Sequence, residues 1–62
     1  MIKQYDKVKL NSGKYAIIVE VLDSGNEYIA DIEISAGDYE TETIKQADIA
    51  AQIVEVEKPI NA

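Results

Sequence analysis

Tyr28-Ile29-Ala30-Asp31-Ile32-Glu33-Ile34 carries the clearest two-residue period in the chain. Successive side chains of a strand point to opposite faces, so Tyr28, Ala30, Ile32 and Ile34 share one face and Ile29, Asp31 and Glu33 the other. One face suits a core and the other suits water. Turn clusters bound this strand on both sides, Asp23-Ser24-Gly25-Asn26 before it and Ser35-Ala36-Gly37-Asp38 after it.

Working outward, the same grammar repeats. Tyr15 to Leu22 is β-branched and long enough for a central strand, with Tyr15, Ile17, Val19 and Val21 on one face and Ala16, Ile18 and Glu20 on the other. Lys7-Val8-Lys9-Leu10 alternates polar and apolar residues and is broken by Asn11-Ser12-Gly13. Tyr39 to Ile44 reads as a fourth strand, in which Thr41 and Thr43 favour β structure. Gln52 to Glu57 reads as a fifth, with Val54 and Val56 inward and Glu55 and Glu57 outward. Between the last two, Lys45 to Gln52 lacks alternation and predicts a single helical turn. The alternative is a helix over 44–53 with Ile49 and Ile53 on one stripe. Pro59 cannot donate to a ladder and stops the last strand.

These spacings suit a small barrel or sandwich, and the expected fold is all-β, a five-stranded antiparallel barrel with one short helical turn before the last strand. Residues 1–58 form one small domain, and residues 59–62 are a frayed tail. The predicted core is Val8, Leu10, Ile17, Val19, Val21, Ala30, Ile32, Ile44, Ile49 and Val54.

The chain has 62 residues, 47% of them hydrophobic, which suits one folded domain rather than a disordered segment. A domain of this size buries only about 60% of its unfolded surface, so its stability is modest. With no Cys and no His, neither disulfides nor zinc can staple it. No segment reads as a secretory signal, and no apolar run approaches the ~20 residues that span a bilayer. Met1 reads as an initiator, and the expected location is cytoplasmic, away from membranes.

Net charge is −6, unevenly spread. Residues 1–19 hold four Lys and one acid, Asp6, whereas residues 20–57 hold eleven acids and one Lys, Lys45. A surface so acidic repels phosphate backbones, which argues against nucleic acid as a partner. In a closed barrel strands three to five are neighbours, so much of the acidity is expected to form one continuous negative field.

The order of elements resembles the small barrels of the Src-homology-3-like superfold. Tyr5-Asp6-Lys7-Val8-Lys9-Leu10, Gly13 and Ala16-Ile17-Ile18-Val19-Glu20-Val21 look like the opening of such barrels. Tyr28 to Glu33 looks like their third strand. Thr43-Ile44 followed by Asp48-Ile49 resembles the strand and helical turn that close them. The likeness spans residues 5–57 and points to short bacterial proteins of unknown function, some encoded beside toxin-like genes. It implies a protein-interaction module, in its sharper form an immunity or antitoxin-like protein that covers a cationic toxin. The rival expectation is a structural or homo-oligomerising accessory domain. Proline-rich peptide binding needs an aromatic groove, and this chain has no Trp or Phe.

Catalysis has little to work with. Without Cys or His, a hydrolase would need a Ser–Lys or Thr-based arrangement, and Ser12, Ser24 and Ser35 all sit in turns where a hydroxyl caps backbone. The expectation is no enzyme, no cofactor and no metal. A calcium loop started at Asp31 would place Asp31, Glu33, Ser35 and Glu42 as ligands, but its sixth position, which must be Gly, is Ala36. Tyr15 and Tyr28 are expected in the core. The candidate surface for a basic partner is Asp31, Glu33, Tyr39, Glu40 and Glu42, with Tyr5.

Overall fold

The computed structural model describes residues 2–53. They form β1 (Lys7–Leu10), β2 (Tyr15–Leu22), β3 (Glu27–Ser35), β4 (Asp38–Lys45) and β5 (Ile49–Ile53), with 3-10 turns at Asp23–Gly25 and Gln46–Asp48. All pairings are antiparallel, and the five strands make one sheet in the order β4-β3-β2-β1-β5. The fold is all-β, with no α-helix among the described residues.

The barrel is not closed. β4 and β5 lie at opposite edges of the sheet, and no pairing joins them among the described residues. β5 is therefore not a neighbour of β3 or β4, and the expected acidic field over strands three to five is reduced to β3 and β4.

Eight side chains make the core: Val8, Leu10, Ala16, Ile18, Tyr28, Ala30, Ile32 and Ile44. Register explains the set. Val8 stands opposite Ala16 and Ala16 opposite Ile32; Ile18 faces Ala30, and Tyr28 faces Ile44. All lie on one face. Among the described residues no second layer covers that face, so the sheet encloses it by curling on itself. Burying an Ile as fully as Ile18 contributes about 1.5–3 kcal/mol.

The face expected to be buried on β2 is the wrong one for its first half. Ile17 is 36% exposed, whereas Ile18 is fully buried. The cause is a bulge: Ile18 pairs with Ala30 but Glu20 pairs with Ile29, leaving Val19 as the extra residue. An extra residue reverses the alternation beyond it. Even positions face the core before the bulge and odd positions after it, so Val21, opposite Tyr28, packs against the core as expected. Val19 is half-buried and outside the core cluster. A second bulge, between Glu33 and Ser35, turns Ile34 out to 48% exposure.

The linker to β5 is a three-residue turn, not a helix over 44–53. The Asp48 carboxylate accepts a hydrogen bond from the Lys45 N–H at 2.9 Å and closes the turn on itself. β5 then starts at Ile49, three residues before the expected Gln52, because Ile49 pairs with Leu10 as soon as the turn ends. The helix-forming Ala51 becomes strand because the β1 edge offers it Lys9 as a partner, while Ala50 is the extra residue of a bulge between the Leu10 and Lys9 pairs. Ile49 packs half-buried against the core. Val54, the rest of the expected fifth strand and the 59–62 tail lie outside the described residues.

Candidate functional site

The alternation of Lys7 and Lys9 with Val8 and Leu10 puts both lysines on the outer face of β1. Asn11-Ser12-Gly13 is a three-residue hairpin loop: the Leu10 N–H donates to the Lys14 carbonyl at 2.8 Å, and the Gly13 N–H to the Leu10 carbonyl at 2.9 Å. Gly13 has φ +93°, a conformation glycine enters without strain. This loop sets Lys9 opposite Tyr15 and Lys7 opposite Ile17. Tyr15 is thus on the outer face rather than in the core, and 39% exposed. The loop was the sequence signal for this: a Gly-ended three-residue hairpin turns Tyr15 to the lysine side.

The outer face continues across the sheet. Ile17 pairs with Asp31 and Asp31 with Thr41; Glu33 pairs with Tyr39. The Thr41 hydroxyl donates to the Asp31 carboxylate at 2.5 Å. Lys7 and Lys9 hold their ammonium groups 5.5 and 5.9 Å from the centre of the Tyr15 ring. A shallow cleft of about 60 Å³ lies between Lys7, Tyr15, Ile17, Glu33 and Tyr39.

The six candidate surface residues do not form one patch. Asp31, Glu33 and Tyr39 come together on the outer face. Glu40 and Glu42 pair with Ile32 and Ala30, so they lie on the opposite, core-side face of the edge strand β4, exposed where the sheet stays open. Tyr5 is 73% exposed in the segment before β1; its N–H donates to the Ile18 carbonyl at 2.7 Å, and its φ is +71°. Among the described residues the only ion pair is Lys3 with Asp6, at 3.9 Å.

A larger concavity, about 600 Å³, opens on the core side between the two edges. Ile2, Val21, Tyr28, Gln46, Ile49 and Gln52 line it, and among the described residues no carboxylate does. The Tyr28 phenol is hydrogen-bonded there to the Gly25 carbonyl at 2.9 Å and to Gln46. Among the described residues no three acidic side chains stand close enough to hold a metal ion, and no helix is long and apolar enough to cross a membrane. Comparisons with family models, with curated proteins and with solved structures find no match to this chain.

Proposed function

We propose that the chain is a non-catalytic protein-interaction module that docks a basic protein surface on its β3–β4 hairpin, without cofactor, metal or nucleic acid. The observation that carries this reading is the unpaired acidity of β4 and its neighbour. Seven of the eight residues of β4 are exposed, and Glu33, Glu40 and Glu42 have no ion-pair partner among the described residues. Charges left in water without partners repel one another at some cost in stability, and they speed encounter with an opposite surface. Tyr39, 56% exposed beside Glu33, supplies the aromatic contact that interfaces favour. Tyr5 lies apart from this hairpin in the register and is the weaker candidate.

The strand order and the 3-10 turn before β5 support a Src-homology-3-like architecture, an open form of the small barrel. With it goes the sharper reading, a cytoplasmic immunity or antitoxin-like protein that covers a cationic toxin. The test is a pull-down from host extract with the wild type and with a variant carrying Asp31→Asn, Glu33→Gln, Glu40→Gln and Glu42→Gln. A basic partner retained by the wild type, lost by the variant and released by salt supports the proposal. Equal retention by both baits overturns it.

A further inference from the structure

The outer face carries charges of both signs in a particular arrangement. β1 presents Lys7 and Lys9, β3 presents Asp31 and Glu33, and β2 runs between them with Ile17 and Tyr15. The register sorts these into two rows. Lys7, Ile17 and Asp31 form one row, since Lys7 pairs with Ile17 and Ile17 with Asp31. The next outward position on each strand gives Lys9, Tyr15 and Glu33, with Tyr39 beyond. Within each row the lysine and the carboxylate flank β2 at two strand spacings, roughly 10 Å apart. They do not pair within the chain; among the described residues none of the four is in an ion pair.

We infer that this face is self-complementary and joins two copies of the chain about a two-fold axis running along β2. Rotation about that axis carries β1 of one copy over β3 of the other and keeps each row at its own height. Lys7 then meets the partner's Asp31, and Lys9 meets the partner's Glu33. Each contact occurs twice, as an isologous interface requires. On the axis, Ile17 packs on the partner's Ile17 and Tyr15 on the partner's Tyr15, which covers the apolar surface these two expose. Two sheets packed face to face at ~10 Å place facing side chains in contact. The charges select this axis. A two-fold perpendicular to the strands would set lysine over lysine and carboxylate over carboxylate.

The opposite face is wrapped around the core, so the outer face is convex and contact is confined to the three central strands. That is well short of the ~800 Å² per partner of a standard interface, and the dimer is correspondingly weak, with a dissociation constant of about 0.1–1 mM at low salt. The inference shares Asp31 and Glu33 with the proposed docking surface but not Glu40 and Glu42, which lie on the other face, so variants at Glu40 and Glu42 tell the two readings apart.

Sedimentation equilibrium at up to ~1 mM protein and about 20 mM salt, where screening is slight, tests it. The wild type is expected to dimerise, and to dissociate at least tenfold more readily at ~0.5 M salt. A Lys7→Glu/Lys9→Glu variant and an Asp31→Lys/Glu33→Lys variant should each lose dimerisation at least tenfold. Mixed one to one, they should associate with each other, since every opposed pair is again of opposite sign; this recovery also shows both variants to be folded. The companion variant Glu40→Gln/Glu42→Gln should dimerise as the wild type does, while weakening capture of a basic partner. A wild type that stays monomeric at 1 mM, charge reversals without effect on dimerisation, or failure of the mixture to associate would each overturn the inference.

Discussion

Glu33 stands opposite Tyr39, and the bulge at Ile34 is what puts it there. From the closing pair Ser35 and Asp38, an unbroken ladder would set Glu33 against Glu40 and Asp31 against Glu42. Four carboxylates would then share one face in directly opposed like-charged pairs, an arrangement that destabilises a sheet. The same ladder would set Tyr28 against Lys45 and turn Ile44 out of the core. The extra residue moves every pair by one, so Tyr28 meets Ile44 and the acids divide between two faces. Deleting Ile34 should therefore be tolerated, because it leaves Ser35 opposite Asp38 and Glu33 opposite Tyr39 in a regular ladder. A stability change of less than about 1 kcal/mol is expected by chemical denaturation, as for a surface site. A loss above ~3 kcal/mol would show that Ile34 has a packing role its exposure conceals.

The bulge at Val19 makes neighbouring isoleucines unequal. Ile18→Ala should cost about 2–5 kcal/mol, the range for buried large-to-small changes, and so should Ile32→Ala. Ile17→Ala, on the outer face, should cost under ~1 kcal/mol. Urea midpoints of the variants compared side by side check the order. Equal losses at positions 17 and 18 would place the bulge elsewhere in β2.

Tyr28 anchors the β2–β3 turn through its phenol while its ring fills the core. Tyr28→Phe keeps the ring and removes the hydroxyl, so the expected loss is that of one net hydrogen bond, about 0.5–1.5 kcal/mol. The amide proton of Asn26, which donates to the Asp23 carbonyl at 3.1 Å within this turn, should exchange faster in the variant. Unchanged stability would mean that water replaces the phenol at no cost.

Neutralising Asp31, Glu33, Glu40 and Glu42 together should leave the denaturation midpoint unchanged or raise it. The substitutions relieve repulsion and break no ion pair among the described residues. Association with a basic partner should slow more than dissociation quickens, and the wild-type rate should itself fall as salt rises to ~0.15 M, where the Debye length is about 8 Å. Stopped-flow mixing separates the two rates. A wild-type association rate indifferent to salt contradicts electrostatic docking.

Most of the strands were legible in the sequence because their punctuation is local. Gly13, Gly25 and Gly37 fall in the turns, and all three have positive φ. The face of β3 was legible because the alternation from Tyr28 to Glu33 is unbroken. The face of β2 was not, because Tyr15 to Leu22 has apolar residues on both sides and nothing marks Val19 as extra. The start of β5 was hidden because Ile49-Ala50-Ala51 has no alternation; its strand character comes from β1, a partner distant in sequence. The candidate site was split for a similar reason. Asp31 and Glu33 are two residues apart, as are Glu40 and Glu42, but the relation between the pairs rests on one bulge that composition does not reveal.

β1 to β4 join their neighbours through short hairpins, each closing a small loop. β5 instead pairs with β1 from the far end of the described chain, with Lys7 against Ile53 and Lys9 against Ala51. Its only other described backbone tie to that hairpin region is the Asn11 N–H donating to the Asp48 carbonyl at 2.8 Å, reinforced by the Asn11 side chain on the Ala47 carbonyl. The entropy of closing so long a loop delays this step, so the meander forms first and β5 zips on last. By the same token β5 opens at the lowest free energy, and its amide protons lead hydrogen exchange in the sheet. Each opening bares the edge of β1, whose unpaired backbone groups can take the β5 of another copy in the register of its own. The turn at Gln46–Asp48 is then a hinge, and refolding at high concentration lets two chains exchange their last strands.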